Sequence, residues 1–135
     1  MTPIIAALIL LATPVIAGEQ ITGPVTHIRD GDTIEVAGVP IRLNGVAAPE
    51  THEPGGQEAT AAMARMVDGK TVTCDLNGER SHDRRVGICY LDGHDIGAAI
   101  IGLGVARDCP RYSGGRYAAV ERPEAADLPL PAYCR

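Results

Sequence analysis

The sequence predicts a mainly β fold with helices (α+β): a five-stranded barrel of the OB type with two to three packed helices. Strand-like segments come as a group of three and a group of two, and a helix-like segment follows each group. The chain has 135 residues, the length of one domain. It has no Phe or Trp and only four Tyr, so the core is expected to consist of aliphatic side chains and Met. These features favour a small closed barrel.

The first three strands are predicted as a meander. Strand-like runs cover residues 21–29, 33–36 and 40–43. The pair Ala37-Gly38 gives a tight connection between the last two runs. This meander supplies the first part of the predicted barrel.

Two helices are predicted, one after each group of strands. Between residues 59 and 67, Ala, Met and Val recur at helical spacing, and Gly69 stands where a C-terminal glycine belongs. A second, short apolar helix is predicted over 96–103, although Gly97 and Gly102 weaken its pattern. The apolar stripe of the first helix is expected to pack into the core.

The second group of strands carries two of the four cysteines. The runs 71–76 and 86–91 hold Cys74 and Cys89, and a turn region at 77–78 joins them, so these cysteines could face each other across a hairpin. No CxxC or CxxH spacing is present, which favours disulfides over metal ligands. Free thiols in a reducing compartment are the alternative. The predicted pairs are Cys74 with Cys89 and Cys109 with Cys134.

The first 17 residues are predicted to be a signal peptide. Residues 4–16 carry no charge, and small or branched residues at 15–17 suit a signal peptidase. A spanning helix needs about 20 apolar residues, and this run is shorter and contains Pro14. We therefore expect a secreted or periplasmic monomer with no membrane association after cleavage. The remaining chain divides into a barrel domain at 18–112 and a Gly- and Pro-containing tail at 113–135, which the second disulfide would hold.

The charge balance limits the ways in which this protein could bind nucleic acid. Twelve Lys and Arg stand against 17 Asp and Glu, a formal charge of −5. This argues against a protein that coats nucleic acid by charge alone, because that mode needs a broad basic face. All but one of the cations are Arg, which is suited to a bidentate grip on phosphate.

The densest chemical segment is Asp30-Gly31-Asp32-Thr33. Two carboxylates that flank a glycine bring hard oxygen ligands together at a strand start, as a divalent cation needs. The alternative is a turn glycine with Asp caps. Gly31 itself is expected to adopt a backbone conformation that a side chain would resist.

The order of the motifs resembles that of the thermonuclease family, also called the staphylococcal-nuclease-like domain. DGDT at 30–33 is followed by RL at 42–43 and PE at 49–50, and the match runs from about residue 24 to residue 112. The resemblance implies an OB-fold barrel with helices. It also implies Ca²⁺-assisted hydrolysis of phosphodiester bonds in DNA or RNA to give 3′-phosphate ends.

The same resemblance implies a role for each matching residue. Asp32 would be a direct metal ligand, and Asp30 a more distant support of the metal site. Glu50 would orient or deprotonate the attacking water as general base. Arg42 and Arg84 would bind the nonbridging phosphate oxygens and offset charge in the transition state.

Further substrate contacts are implied less directly. The segment before Arg84 lacks the Tyr-Gly pair usual in the family, so Arg85 is the alternative substrate-binding arginine. Tyr112 falls near a position where the family has a nucleotide-stacking Tyr, and Pro110 occupies the position of a second one. Tyr112 is therefore predicted either to bind substrate or simply to pack.

Ala47 departs from the family's pattern because it stands where a second metal-binding Asp is expected. Affinity for Ca²⁺ follows the number and charge of the oxygen ligands. A weakened site, or a preference for another divalent metal, is therefore expected.

Two functions remain open from the sequence. The first is a secreted nuclease, an endonuclease-like phosphodiesterase acting on DNA or RNA. The alternative is a non-catalytic OB-type module of the cell envelope that binds nucleic acid, nucleotide or another anionic ligand. The net negative charge favours the alternative, because it repels phosphate unless the arginines are clustered.

Overall fold

A computed structural model of the chain describes residues 1–4, 8–12 and 18–135. The predicted signal peptide falls partly outside these residues, and its cleavage site at 15–17 lies entirely outside them. Within the described ranges, no helix is long and apolar enough to cross a membrane.

Strands and helices alternate along the described chain much as the sequence predicts. The strands are β1 (Gln20–Asp30), β2 (Thr33–Val36), β3 (Val39–Leu43), β4 (Val46–Ala47), β5 (Thr71–Ser81), β6 (Arg84–Leu91), β7 (His94–Asp95) and β8 (Arg107–Asp108). The helices are α1 (Gly56–Val67), α2 (Ile96–Gly102) and α3 (Pro110–Ser113), and 3₁₀ turns cover Pro123–Asp127 and Ala132–Cys134.

The main sheet closes on itself as an OB-like barrel. Its strand order is β3-β2-β1-β5-β6-β7, and all of these neighbours are antiparallel. Strands β3 and β6 also pair with each other, in parallel, and this pairing closes the barrel. This confirms the predicted fold class. A barrel of this kind leaves few unpaired sheet edges.

Aliphatic side chains and methionine make up most of the core, as the composition predicts, but Tyr117 is also buried in it. Helix α1 buries Ala59, Met63 and Val67 on one face, and it packs against β1 and α2. Helix α2 contributes Ile100 and Ile101, both fully buried. Burial of a large aliphatic side chain stabilises a fold by about 1.5–3 kcal/mol, so both helices help to hold the barrel together.

The hairpin between β5 and β6 turns later than the sequence predicts. The turn lies at His82 and Asp83, and Ser81 pairs with Arg84. Residues 77–78, the predicted turn, lie instead where the strand register shifts. Strand β5 thus continues past its apolar part, and β6 begins at Arg84.

Both disulfides join the predicted pairs of cysteines. Cys74 and Cys89 are direct cross-strand partners in β5 and β6. The second disulfide joins Cys109, the residue before α3, to Cys134 at the end of the tail. The tail is therefore covalently attached beside α3.

We expect Gly31→Ala to lower the free energy of unfolding by about 1–3 kcal/mol, the usual cost of overpacking. A Cβ at Gly31 would lie 2.7 Å from the Cβ of Ala48 and 2.8 Å from that of Ala59. The φ of Gly31 is not in the left-handed region, so the requirement is for space and not for an unusual conformation. Urea unfolding of the variant measures the loss.

Gly102→Ala is the matched control for this substitution. No heavy atom lies within 4 Å of a Cβ placed there, and Gly102 ends α2. Alanine is a better helix former than glycine by about 1 kcal/mol. The control should therefore keep or gain stability, and an equal loss in both variants would contradict the steric explanation.

Candidate active site

Asp32 is the buried centre of the site, at the turn between β1 and β2. The residue is 6% exposed. Its Oδ2 accepts a hydrogen bond from the backbone N–H of Ala48 at 3.0 Å and lies 3.4 Å from Nη2 of Arg42. Its Oδ1 accepts a hydrogen bond from the hydroxyl of Thr33 at 3.2 Å. A buried charge needs such partners. Asp32 therefore holds the Arg42 side chain and the Ala48 backbone against the β1–β2 turn.

Thr33 connects Asp32 to a second arginine. Nη1 of Arg84 donates a hydrogen bond to Oγ1 of Thr33 at 3.0 Å, and this hydroxyl is the one that donates to Asp32. Thr33 is itself buried. Arg42, Asp32, Thr33 and Arg84 therefore form a continuous row of polar contacts, which we call the polar row.

The β5–β6 turn positions Arg84 further. Its Nε donates to the carbonyl oxygen of Ser81 at 3.0 Å, and its Nη2 donates to the Ser81 hydroxyl at 2.7 Å. Ser81 and Thr33 are both neutral. They orient the guanidinium of Arg84 without offsetting its positive charge.

Arg29 holds the same turn from β1. Its Nη1 and Nη2 donate to the two carboxylate oxygens of Asp83 at 3.0 and 2.8 Å, and its Nε donates to Glu35 at 3.2 Å. The hydrogen bonds from Arg29 lower the pKa of Asp83. Asp83 therefore forms its direct ion pair with Arg29 and not with Arg84.

Glu50 lies in the loop between β4 and α1. Its backbone N–H donates to Oε1 of Glu53 at 2.8 Å, and its carbonyl accepts from the backbone N–H of Glu53 at 2.8 Å. A Cβ at Gly56, the first residue of α1, would lie 1.8 Å from the Glu50 carbonyl oxygen. Close packing on the helix start thus fixes the Glu50 backbone, while the residue itself is exposed.

These elements meet at an open cleft of about 820 Å³. Arg42, Glu50, Arg84 and Tyr112 all line it, with Tyr133 from the tail. A smaller depression of about 360 Å³ adjoins this cleft and shares Glu50 and Arg84 with it. Asp30 lines the smaller depression.

Asp30 is a half-buried carboxylate beside Asp32. The pKa of Asp30 is raised to about 7. Burial is the largest cause, the charge of Asp32 comes next, and the charge of Glu50 contributes least. Its Oδ1 also accepts a hydrogen bond from the backbone N–H of Asp32 at 3.0 Å. This crowding of negative charge is of the kind that a bound cation relieves. Even so, no three His, Cys, Asp or Glu side chains of the described chain are grouped as a metal site.

Ala47 does not leave an open position beside these carboxylates. It is fully buried and packs with Cys109, Cys134 and Leu130 in a small apolar cluster. Its backbone pairs with Arg107 across β4 and β8. The tail therefore covers the position at which the family's pattern has a second metal-binding Asp.

The structure separates the two adjacent arginines of β6. Arg85 forms an ion pair with Glu19 at 2.5 Å and lines neither the cleft nor the adjoining depression. Its neighbour Arg84 lines both. Successive residues of a strand point to opposite faces, so only one of the two can reach the cleft from this register.

Tyr112 stands at the rim of the cleft. Its backbone carbonyl accepts a hydrogen bond from the side-chain amide of Asn44 at 3.1 Å. The residue is 47% exposed. The ring is therefore accessible from the cleft.

Three residues that line the cleft or the adjoining depression could not be identified from the sequence. The sequence indicates no role in the site for Thr33 or Arg29. Tyr133 lies in the predicted tail. The sequence signal for Tyr133 was its position next to Cys134, which brings its backbone to Cys109 once the disulfide is formed.

Comparison with known proteins agrees with the geometry of the cleft. Residues 40–126 match the sequence profile of the family described as Staphylococcal nuclease homologue. The "Succinoglycan biosynthesis protein ExoI" of Rhizobium meliloti (strain 1021) is 32% identical, over 87% of this chain and 68% of the relative. An "Uncharacterized endonuclease" of Escherichia coli O157:H7 is 33% identical, over 78% of this chain and 72% of the relative.

A plant relative shares a shorter part of the chain. The "Probable staphylococcal-like nuclease CAN1" of Oryza sativa subsp. japonica is 35% identical, over 64% of this chain and 24% of the relative. The family match covers more than half of the chain and includes Arg42, Glu50 and Arg84. The chain therefore belongs to the staphylococcal nuclease homologue family.

Proposed function

We propose that this protein is an exported nuclease that hydrolyses phosphodiester bonds of DNA or RNA with the assistance of a divalent cation. The observation that carries the proposal is the polar row, because it joins Arg42 and Arg84 beside the exposed carboxylate of Glu50 in one cleft. These are the groups that phosphodiester hydrolysis requires: cations for the phosphate oxygens and a carboxylate for water.

The two arginines would bind the nonbridging oxygens of the scissile phosphate. Among the described residues, Arg84 donates hydrogen bonds only to neutral groups, so no direct ion pair offsets its charge. Arg42 lies 3.4 Å from Asp32 and also donates to the Leu43 carbonyl at 2.6 Å, so part of its charge is already offset. We therefore assign the larger share of transition-state stabilisation to Arg84.

Glu50 would act as the general base. Its carboxylate accepts no hydrogen bond from another described residue, since only its backbone is engaged. It would take a proton from the water whose oxygen forms the new bond to phosphorus. The bond from phosphorus to the 5′ oxygen would break, and the leaving oxygen would take a proton from solvent to give a 5′-hydroxyl end, while a 3′-phosphate end would remain.

We propose that few protein ligands would hold the divalent cation. Asp32 would be the direct ligand, and Asp30 would support it from the adjoining depression. The bound ion would supply Lewis-acid polarisation of the phosphoryl group. The Ala47 side chain provides no oxygen ligand, so we propose Ca²⁺ binding that is weak, or use of another divalent metal.

Two features support an exported protein. Disulfides persist in secreted and periplasmic proteins and are rare in reducing compartments, and both cysteine pairs are joined here. The apolar, uncharged run at residues 4–16 is consistent with a signal peptide. We propose that the exported protein is a monomer.

A cleavage assay tests the proposed function. The oxidised protein is incubated with single-stranded DNA, plasmid DNA and RNA in Ca²⁺, Mg²⁺, Mn²⁺ or EDTA, beside a Glu50→Gln variant purified in parallel. We expect cleavage that needs a divalent ion and is lost in the variant. A correctly folded protein that cleaves nothing in any metal would overturn the proposal and favour the non-catalytic binding module.

A further inference from the structure

The C-terminal tail reaches the candidate active site. The disulfide between Cys109 and Cys134 joins the tail to the residue before α3. Leu130 packs on this disulfide, and the Leu128 carbonyl accepts a hydrogen bond from Nη1 of Arg107 at 3.2 Å. These contacts bring the last 3₁₀ turn, which contains Tyr133, to the cleft.

Tyr133 and Tyr112 stand together at the rim of the cleft. Their ring centroids are 6.2 Å apart, and the ring planes meet at 66°, an edge-to-face arrangement. Tyr133 is 50% exposed, and both residues line the cleft that contains Arg42, Glu50 and Arg84. The pair therefore presents an open aromatic surface to the same space as the phosphate-binding groups.

This exposure contrasts with the way the fold uses a tyrosine for structure. Tyr117 is 2% exposed, and its hydroxyl donates to the carboxylate of Asp95. Among the described residues, the hydroxyls of Tyr112 and Tyr133 have no hydrogen-bond partner. Half-exposed rings contribute less burial to stability than enclosed ones, so structural packing alone does not account for this pair.

We propose that Tyr133, brought to the cleft by the Cys109–Cys134 disulfide, is a substrate-binding residue that forms with Tyr112 a binding surface for an unpaired nucleobase. The inference rests on the proposed function for the identity of the ligand. Every base has a π face that can stack on an aromatic ring, and a base in single-stranded nucleic acid reaches such a ring without unpairing. The nearby arginines would bind the phosphates on either side of that base.

The tail makes this binding surface dependent on the disulfide. Tyr133 and Cys134 are adjacent, and Cys134 is fully buried against Cys109. Pro110, which opens α3, occupies the position where the family's pattern has a second tyrosine. Tyr133 therefore supplies from the tail a ring that α3 does not supply.

Binding of a fluorescein-labelled oligothymidylate, measured by anisotropy in EDTA, tests the inference without cleavage. We expect Tyr133→Leu to raise the Kd by about tenfold, within the range seen when a stacking aromatic is removed. Tyr133→Phe keeps the ring and should keep the affinity. The double variant Cys109→Ser with Cys134→Ser should lose as much as Tyr133→Leu, and adding Tyr133→Leu to it should cause no further loss.

Circular dichroism and urea unfolding check that each variant is folded. If the double cysteine variant does not fold, the Kd of Tyr133→Leu alone tests the inference. An unchanged Kd for Tyr133→Leu, or an equal loss for Tyr133→Phe, would overturn the inference. If the wild type cleaves nucleic acid, Tyr133→Leu should raise KM and leave kcat unchanged. A protein that binds through Tyr133 but never cleaves would refute the nuclease proposal and leave this inference standing.

Discussion

Arg84→Ala is expected to lower kcat/KM for nucleic acid cleavage by a factor of about 10² to 10³, the usual loss when one oxyanion donor is removed. Thr33 and Ser81 hold the guanidinium of Arg84 at the cleft without neutralising it. Charge that develops on the phosphate oxygens would therefore meet an oriented cation with no direct ion pair among the described residues. Initial rates on a single-stranded oligonucleotide, at several substrate concentrations, measure the effect.

Arg85→Ala is the matched control, since it removes the same chemical group from the adjacent residue of β6. Arg85 pairs with Glu19 outside the cleft, so this variant should cleave at nearly the wild-type rate. Arg84→Lys keeps the charge but loses the forked geometry of the guanidinium, and we expect it to recover only part of the activity. Equal losses of activity in Arg84→Ala and Arg85→Ala would show that cleavage depends on the total positive charge of β6. They would contradict a specific role for the position of Arg84.

The fold could be predicted because its signals are local. The strands of the meander, helix α1 and the two later strands each have their own periodicity, and a barrel follows from their order. Strands β4, β7 and β8 have two residues each. No periodicity can be recognised over two residues, so they could not be predicted.

The choice between Arg84 and Arg85 could not be made from the sequence. It depends on the register of β6, and the register depends on where the preceding turn lies. The turn at His82 and Asp83 contains neither Asn-Gly nor Asp-Gly, and His82 adopts a positive φ of 59° that is uncommon for a non-glycine residue. The more typical turn signal at 77–78 lies at a register shift instead.

Long-range contacts decide the remaining features of the site. Ala47 departs from the family's pattern, but no local pattern in the sequence indicates that Cys109, Cys134 and Leu130 cover it. Similarly, Tyr133 lies in a Pro-containing tail without regular periodicity, and a disulfide determines its position. Such contacts join segments that are distant along the chain, so no local pattern predicts them.

Glu50→Gln is expected to lower kcat by a factor of about 10² to 10⁴, the contribution typical of a general base. Glutamine has almost the same size and can keep the loop conformation, because the contacts that fix residue 50 involve its backbone and not its carboxylate. The variant loses the proton acceptor and leaves both arginines in place. KM should therefore change little, and single-turnover rates would locate the loss in the chemical step.

Glu53→Gln separates this role from a general effect of charge on the loop. Oε1 of Glu53 accepts the hydrogen bond from the Glu50 backbone, and the amide oxygen of glutamine can accept the same bond. This control removes one negative charge three residues away and should retain activity. A similar loss in both variants would mean that the loop needs negative charge but not a base at residue 50. A loss confined to Glu50→Gln would assign proton transfer to that carboxylate.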